Sequence, residues 1–166
     1  MPNANTFSCP PLGRLVDRYV KQSRVSVDPF SRNSMRATFT NDIDGHTTAD
    51  HHMDAVAFLG KLAQMGICAD LLILDPPYSP RQIKECYDSI GRTTTVTDTQ
   101  NAALYRRVRN ASLAILSSDA TVISFGWNST GMGKRRGFEM VELLLVCHGG
   151  AHNDTIAIVE QRCVLP

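Results

Sequence analysis

The sequence lacks the features that mark membrane proteins, disulfide-rich proteins and strongly charged proteins. No apolar run is long enough to cross a bilayer, and the first residues have neither the charged nor the apolar region of a signal peptide. The five cysteines are scattered and include no Cys-x-x-Cys pair, so we expect buried reduced thiols rather than a disulfide framework or a zinc site. The net charge is +1, which provides no bulk attraction for a nucleic acid. We expect a cytoplasmic protein whose charged contacts are local.

The length and composition are those of one globular domain. The chain has 166 residues, of which 43% are hydrophobic and 20% are charged. These proportions are ordinary for a domain that buries its own core. No internal repeat, low-complexity tract or linker divides the chain. We therefore expect a single domain over residues 1–166.

The most informative stretch is a short hydrophobic run that ends at an acid. Residues 71–74 are Leu-Leu-Ile-Leu, which is typical of a strand buried on both faces of a parallel sheet. Asp75, Pro76, Pro77 and Tyr78 follow it directly. Proline fixes its own backbone angle and restricts the preceding residue, so the chain leaves the sheet stiffly here. An acid at the carboxyl end of a central parallel strand lies where open α/β sheets bind ligands.

The other hydrophobic patterns alternate between helices and strands. A parallel crossover normally needs a helix, but the first two predicted strands are separated by only a short loop. Either a loop has replaced that helix, or one of the two strand assignments is wrong. The last two strands predict a closing hairpin. The patterns predict helices over 12–20, 55–65 and 101–117 and further strands over 25–30, 37–41, 121–126, 141–147 and 155–160.

The motif after the central strand resembles that of a known enzyme family. Asp75, Pro76, Pro77 and Tyr78 are similar to the catalytic motif of S-adenosylmethionine-dependent amino-methyltransferases, in the form typical of N6-adenine enzymes of bacteria and their phages. The resemblance implies a Rossmann-like class I methyltransferase fold: a mostly parallel sheet with an antiparallel edge hairpin, here with a shortened first crossover. It also implies methyl transfer to the N6 amine of adenine in a nucleic acid, with DNA favoured over RNA.

The chemistry of the adenine amine explains the residue types in this motif. The lone pair of that amine is delocalised into the ring, so the nitrogen is a poor nucleophile. In the family, the Asp75 carboxylate and the Pro76 carbonyl would accept both amine hydrogens and localise the lone pair. The Pro76-Pro77 pair would fix the carbonyl direction, and Tyr78 would offer a face on which a flipped-out base stacks.

The resemblance also implies residues that hold the cofactor, S-adenosylmethionine. Asp28, Pro29 and Phe30 match an acid-Pro-Phe loop, but the glycines that normally follow are replaced by Arg32, Asn33 and Ser34. We expect Arg32 to pair with the methionine carboxylate of the cofactor. We expect Asn33 to tolerate the left-handed backbone that a glycine would adopt.

Three more segments carry implied cofactor contacts. Asp42 or Asp44 would bind the ribose, although a polar turn or a helix cap is an alternative for both. Asp54 would face the exocyclic amine of the cofactor adenine, with Ala55 beside the ring. Pro10, in a stiff segment before the first helix, would touch the methionine part; simple packing on the sheet edge is as good an interpretation.

Positive charge is concentrated in one glycine-flanked loop. Lys134, Arg135 and Arg136 suit phosphate contact, and we expect this loop on the active-site side. Arg81, in a predicted helix after the motif, is a further candidate for nucleic-acid contact. The loop over 92–100 is either a lid or a plain connection. No target-recognition domain is expected, so specificity would come from short loops, a homodimer or a partner subunit.

Two other interpretations stay open. The missing glycines and the short crossover also fit a degenerate methyltransferase fold that binds a nucleic acid or a partner without turnover. An enzyme acting on RNA adenine or on a protein amide is the second. Metal chemistry is not expected, because the histidines do not stand at ligand spacing.

Overall fold

Six strands form one sheet, and the most hydrophobic run of the sequence lies near its centre. The computed structural model describes residues 6–78, 91, 101–150 and 153–163. The strand order is β2-β1-β3-β4-β6-β5. Strands β1 to β4 are mutually parallel, and β6 runs antiparallel to both β4 and β5. The bounds are β1 Ser26–Asp28, β2 Phe39–Thr40, β3 Ala69–Leu74, β4 Leu116–Gly126, β5 Phe138–Val146 and β6 Thr155–Arg162.

Three helices of the described residues cover the two faces of this sheet. They are α1 Pro10–Gln22, α2 Ala55–Gln64 and α3 Asn101–Ser112. The prediction of α3 as far as residue 117 is wrong at its end, and β4 begins five residues before the predicted 121. Apolar residues 115 and 116 fit the side of a helix and the start of a buried strand equally well, so periodicity alone could not place the boundary.

Alternating side chains of the central strands divide the core into two layers. Leu72 and Leu74 of β3 pack in the layer that holds α2 and α3. Leu71 and Ile73 pack in the layer that holds α1. All four are at most 4% exposed, which is the pattern of a strand buried on both faces and confirms the prediction for residues 71–74.

The first crossover is a loop without a helix, which decides between the two alternatives left open by the sequence. Strands β1 and β2 are parallel neighbours, with Val27 opposite Phe39. The connection passes over the α1 face, because Ala37 packs in that layer and Nε of Arg36 lies 2.7 Å from Oδ1 of Asp17 on α1. Helix α1 therefore covers the face that a crossover helix would otherwise cover.

Two expectations from composition are answered for the part of the chain that the structure describes. The four cysteines there are free thiols, as expected, but none is buried: Cys68 and Cys147 are exposed, and Cys9 and Cys163 are half-buried. Among the described helices, none is long and apolar enough to cross a membrane.

Candidate functional site

Three of the acids singled out in the sequence meet at one edge of the sheet. Asp28 ends β1, Asp42 follows β2, and Asp75 follows β3. The carboxyl ends of parallel strands lie on the same edge, so these acids come from three neighbouring strands onto one rim. The rim is where an open α/β sheet has room for a ligand, because the chain turns away from each strand there.

A buried asparagine that the sequence analysis did not select joins the loops of this rim. Asn41 is fully buried. Its Nδ2 donates to the carbonyl of Pro29 at 3.1 Å and to that of Met53 at 3.0 Å, and its Oδ1 accepts the Met53 N–H at 3.1 Å. One amide thus fixes the loop after β1 against the segment before α2. An asparagine just after a strand is too common a pattern to have revealed this role.

Asp28 is a buried carboxyl at the base of the rim. It is 1% exposed, and its Oδ1 accepts the backbone N–H of Phe30 at 3.0 Å. Burial raises the pKa of Asp28 well above its ordinary value, and the charges of Asp75 and Asp42 raise it further. Pro29 is buried and Phe30 is half-buried, so the acid-Pro-Phe segment forms the floor of the loop that follows β1.

The loop after β1 keeps a glycine-like backbone without glycine. Arg32 has φ of +49°, a left-handed conformation that L residues seldom adopt. Its N–H donates to Oδ2 of Asp42 at 3.1 Å, so the strained turn is fastened to the loop after β2. The left-handed residue expected here was Asn33, and that expectation is wrong: Oδ1 of Asn33 instead accepts the N–H of Thr48 at 3.0 Å.

Two of the expected cofactor acids are engaged in local structure. Oδ1 of Asp44 accepts the N–H of His46 at 2.9 Å, and these contacts with His46 lower the pKa of Asp44. Oδ1 of Asp54 caps α2 by accepting the N–H groups of Val56 and Ala57. The alternative interpretation of Asp44, a polar turn, describes its observed contacts.

The other residues predicted to bind the cofactor do not all lie on the rim. Asp42 is half-buried on the rim, its Oδ1 accepts the Asp44 N–H at 2.9 Å, and burial raises its pKa. Ala55 is buried at the start of α2. Pro10 is exposed as the first residue of α1. The N-terminal segment reaches the rim through Thr6 instead.

Asp75 is surrounded by hydroxyl groups. The hydroxyl of Tyr78 donates to Oδ1 of Asp75, and the side chain of Thr6 also hydrogen-bonds to Asp75. Burial raises the pKa of Asp75, while these hydrogen bonds and the charge of Arg32 oppose that rise. Burial also raises the pKa of Tyr78, so its hydroxyl keeps its proton and donates it to the hydrogen bond with Asp75.

Aromatic and proline residues complete the surroundings of Asp75. The ring of Trp127 meets that of Tyr78 edge-on, with centroids 5.9 Å apart. Pro76 is buried, Pro77 is half-buried, and Trp127 is 42% exposed. Trp127 therefore stands beside the motif at the rim rather than in the core.

The basic turn lies away from this rim, which corrects the expected placement. Strand β5 runs parallel to β4, so its first residue, Phe138, lies toward the amino end of the sheet. The three cations form a 3-10 turn at Lys134–Arg136, just before that residue. Buried Glu160 holds the preceding loop by accepting the N–H groups of Met132 and Gly133. Proximity to the rim could not be predicted from the sequence, because it depends on how far the loop runs back along the sheet.

The three cations of this turn are also unequal. Arg136 donates to Oδ1 of Asn110 at 3.0 Å and to the carbonyl of Met132 at 2.9 Å. Lys134 lies 3.8 Å from a carboxyl oxygen of Glu139. Arg135 is exposed and has no ion pair among the residues that the structure describes. Arg81, the fourth cation named for nucleic-acid contact, lies outside the described residues.

The architecture matches solved structures of methyltransferases. SMU.776 complexed with SAH has a TM-score of 0.59 and 13% identity over 89% of this chain and 48% of that one. NSun6 from Pyrococcus horikoshii with SFG has a TM-score of 0.54 and 14% identity, over 89% of this chain and 50% of that one. The M. jannaschii tRNA m1G37 methyltransferase has a TM-score of 0.51 and 13% identity, over 94% of this chain and 51% of that one. The chain thus spans about half the length of these proteins.

This likeness defines the fold. A scan of protein-family models finds no match, and neither does a search of curated proteins. Because these identities are below 15%, the structural match establishes the architecture alone. The chain has the Rossmann-like fold of methyltransferases, with a mostly parallel sheet and an antiparallel edge, as the sequence predicted.

Proposed function

We propose that this protein is an S-adenosylmethionine-dependent methyltransferase that methylates the N6 amine of adenine in a nucleic acid. One observation carries the proposal: Asp75 and Pro76 stand at the carboxyl end of β3, between β1 and β4, on a methyltransferase fold. The loop of the fold that follows β1 keeps a left-handed turn at Arg32, one of the residues that replace the glycines. The site thus pairs an acceptor motif for an amine with a loop of the kind that approaches a cofactor.

The rim fits the cofactor chemically. Oγ of Ser34 is buried with no hydrogen-bond partner among the described residues, so a polar group of a ligand would satisfy it. Arg32 is exposed, and its guanidinium would pair with the methionine carboxylate of the cofactor. This contact would replace the close backbone approach that glycines at this loop would allow. Asp42 would accept hydrogen bonds from the ribose hydroxyls of the cofactor. The second carboxyl oxygen of Asp54 would accept a hydrogen bond from the amine of the cofactor adenine. S-adenosylmethionine supplies an electrophilic methyl group on a sulfonium.

The described side chains would prepare the target amine rather than react covalently. Asp75 and Pro76 would accept the two amine hydrogens, which aims the nitrogen lone pair at the methyl donor. A carboxylate has about four acceptor positions, so Asp75 can hold the Tyr78 hydroxyl and still receive an amine. As the nitrogen becomes methylated, its surplus proton would pass to Asp75 or to water. The Tyr78 ring would stack on the target base.

The kind of nucleic acid stays a separate part of the proposal. The motif resemblance favours DNA. A neighbour in fold acts on tRNA, according to its description, and this supports RNA as the alternative substrate. Arg135 is the cation of the basic turn that we propose for phosphate contact, on an extended nucleic acid that reaches beyond the rim.

Cofactor binding is the first experiment. We would titrate the purified protein calorimetrically with S-adenosylmethionine and with S-adenosylhomocysteine. Micromolar binding would support the cofactor assignment. Absence of binding at millimolar concentration would favour the degenerate fold that serves only as a binding protein.

Methyl transfer is the second experiment. Labelled-methyl transfer would be compared on single-stranded DNA, duplex DNA, RNA and protein. Asp75→Ala should reduce transfer by about 100-fold or more while cofactor affinity stays within a few-fold, because Asp75 faces the target amine. Asp119→Ala, at an exposed carboxyl on the amino side of β4, is the matched control. Cofactor binding without transfer to any adenine-containing polymer would refute the adenine assignment.

The expectation of a homodimer or partner subunit also stays a prediction. Light scattering of the purified protein tests it. The edge strand β5 exposes the side chains of Val141, Leu143 and Leu145, each at 52%, and is the first place for charged substitutions if a complex is found.

A further inference from the structure

A cleft opens beside the catalytic motif, on the side of the sheet that carries α3. Most of its empty space of about 260 Å³ is open to solvent, and the enclosed part has room for about one water molecule, which the edge of a ring could replace. Pro76, whose carbonyl is one of the two proposed amine acceptors, forms part of its wall. Leu74 and Val108 make other parts of the wall apolar, and Tyr105, Arg109 and Ser124 contribute polar groups. The charge of Asp75 reaches Tyr105, where it adds to the effect of burial in raising the pKa of that hydroxyl, so the cleft and the catalytic acid are neighbours.

Ser124 brings a buried hydroxyl with no partner into this cleft. It lies on β4 opposite Leu74 of β3 and is 7% exposed. Its Oγ has no hydrogen-bond partner among the described residues. A buried polar group without a partner costs stability, so it needs a bound water or a ligand to satisfy it.

Arg109 brings a second unsatisfied donor. Its side chain is on α3, and the residue is 9% exposed. Nη2 donates to the carbonyl of Thr130 at 2.6 Å, and the guanidinium carbon lies 5.2 Å from the centroid of the Tyr105 ring. Nε has no hydrogen-bond partner, and within the described ranges no carboxylate forms an ion pair with Arg109. Among the described residues, a carbonyl and a ring face hold this buried arginine, and its Nε remains as a donor for a ligand.

We propose that this cleft receives the ring edge of the target base beside its amine, with Ser124 and Arg109 donating hydrogen bonds to a ring nitrogen. The inference rests on the proposed function and adds the residues that read the base. Adenine has an acceptor nitrogen, N1, next to its amine-bearing carbon. Guanine and uracil have a carbonyl at that carbon and an N–H beside it. The Arg109 guanidinium can only donate, so it pairs with the acceptor and opposes the N–H.

The walls of the cleft favour a base over a phosphate. A phosphate would lose most of its hydration shell here at a large cost, because only Ser124 and Arg109 could replace that water and the wall from Leu74 and Val108 could not. A planar heteroaromatic ring packs against such walls and needs only one or two placed donors. The binding test therefore includes inorganic phosphate as the competing ligand.

The binding test uses free nucleosides with the cofactor site filled. Wild-type protein with saturating S-adenosylhomocysteine would be titrated by NMR with adenosine, 1-deazaadenosine, 7-deazaadenosine and inorganic phosphate. Ser124→Ala should weaken adenosine binding about tenfold, the loss expected for one good hydrogen bond. 1-deazaadenosine should bind wild-type protein about tenfold more weakly than adenosine, whereas 7-deazaadenosine should bind as adenosine does, and the loss with the 1-deaza compound should disappear in Ser124→Ala.

A matched control separates recognition from packing. Ser112 is also buried on this face, but its Oγ already donates to the carbonyl of Val108 at 2.7 Å. Ser112→Ala should leave nucleoside binding unchanged and lower the melting temperature. Ser124→Ala should melt at the wild-type temperature or above it, because it removes a hydroxyl that had no protein partner.

The outcomes separate this inference from the proposed function. Wild-type adenosine affinity in Ser124→Ala, no adenosine binding by the wild-type protein, or binding of phosphate in preference to adenosine would each overturn it. If adenine in nucleic acid is methylated but Ser124→Ala keeps the wild-type KM and the same deaza discrimination, the proposed function stands and this inference is wrong. If adenosine binding depends on Ser124 but no polymer is methylated, the binding site stands and the transferase proposal is wrong.

Discussion

The hydroxyl of Tyr78 donates a hydrogen bond to the carboxylate of Asp75, so the aromatic ring and the acid of the motif are joined. The contact ties the ring that we propose for stacking to the group that we propose for amine binding. It gives Tyr78 two separable roles, one through its ring face and one through its hydroxyl. Thr6 makes a further hydrogen bond to the same acid, which brings the N-terminal segment over the site.

Two substitutions at position 78 separate ring from hydroxyl. Tyr78→Phe keeps the ring and frees an acceptor position on Asp75, so we expect methyl transfer within about threefold of wild type. Tyr78→Ala removes the stacking face and should weaken transfer about tenfold or more, since stacking of one base is worth roughly 1–3 kcal/mol. Steady-state kinetics on the best nucleic-acid substrate measures both. Equal losses in the two variants would show that the hydroxyl, not the ring, is needed.

The left-handed turn at Arg32 leads to a second pair of substitutions. Arg32→Gly removes the charge and suits φ of +49°, whereas Arg32→Ala removes the same charge and keeps the strain. Both should weaken S-adenosylmethionine binding about tenfold if the guanidinium pairs with the methionine carboxylate. Arg32→Ala should also be less stable than Arg32→Gly, by about 1 kcal/mol. Calorimetric titration and thermal melting give the two readouts, and undiminished affinity in both variants would refute the assigned role of Arg32.

The raised pKa of Asp28 leads to a prediction about pH. Below the ordinary value of 3.8 both the folded and the unfolded chain hold this proton. As the pH rises, the unfolded chain releases it first, so the folded protein loses stability until the pH passes the higher pKa of the native carboxyl. Asp28→Asn stays neutral and should melt above wild type at pH 7–8, by about 2–4 °C for each kcal/mol gained. The difference should shrink as the pH falls toward 4.

The control for this experiment is an exposed acid with the opposite shift. A hydrogen bond from Ser117 lowers the pKa of Asp119 on β4. Asp119→Asn should not raise the melting temperature at pH 7–8. A stability gain for Asp28→Asn that is the same at every pH would mean that packing, and not titration, explains it.

The unequal cations of the basic turn give a fourth prediction. Arg135→Ala should leave the melting temperature unchanged, weaken nucleic-acid binding at low salt, and reduce the slope of log affinity against log salt by about one. Arg136→Ala should lower the melting temperature, because Arg136 holds Asn110 and the carbonyl of Met132. Fluorescence anisotropy over a salt series measures the slope. An unchanged slope in Arg135→Ala would remove this turn from the nucleic-acid surface.

Sequence patterns were reliable where many residues share one signal. The run at 71–74 was identified as a central buried strand because four aliphatic side chains in a row have few other uses, and the structure places them in both core layers. The motif after it therefore falls on the carboxyl edge. Single polar residues were less predictable, because Asp44, Asp54 and Asn33 meet backbone N–H groups whose positions depend on the local turn.

Hydrophobic periodicity and a short motif are both written along the chain, so the residues alone predicted the class of fold and the position of Asp75 and Pro76 at the end of β3. Which side chains share a surface depends on the tertiary structure. It carried Lys134–Arg136 toward the amino end of the sheet, brought Thr6 to Asp75, and left Ser124 and Arg109 facing one cleft from β4 and α3. These relations depend on strand direction and on packing between distant segments, which no local pattern of residues encodes.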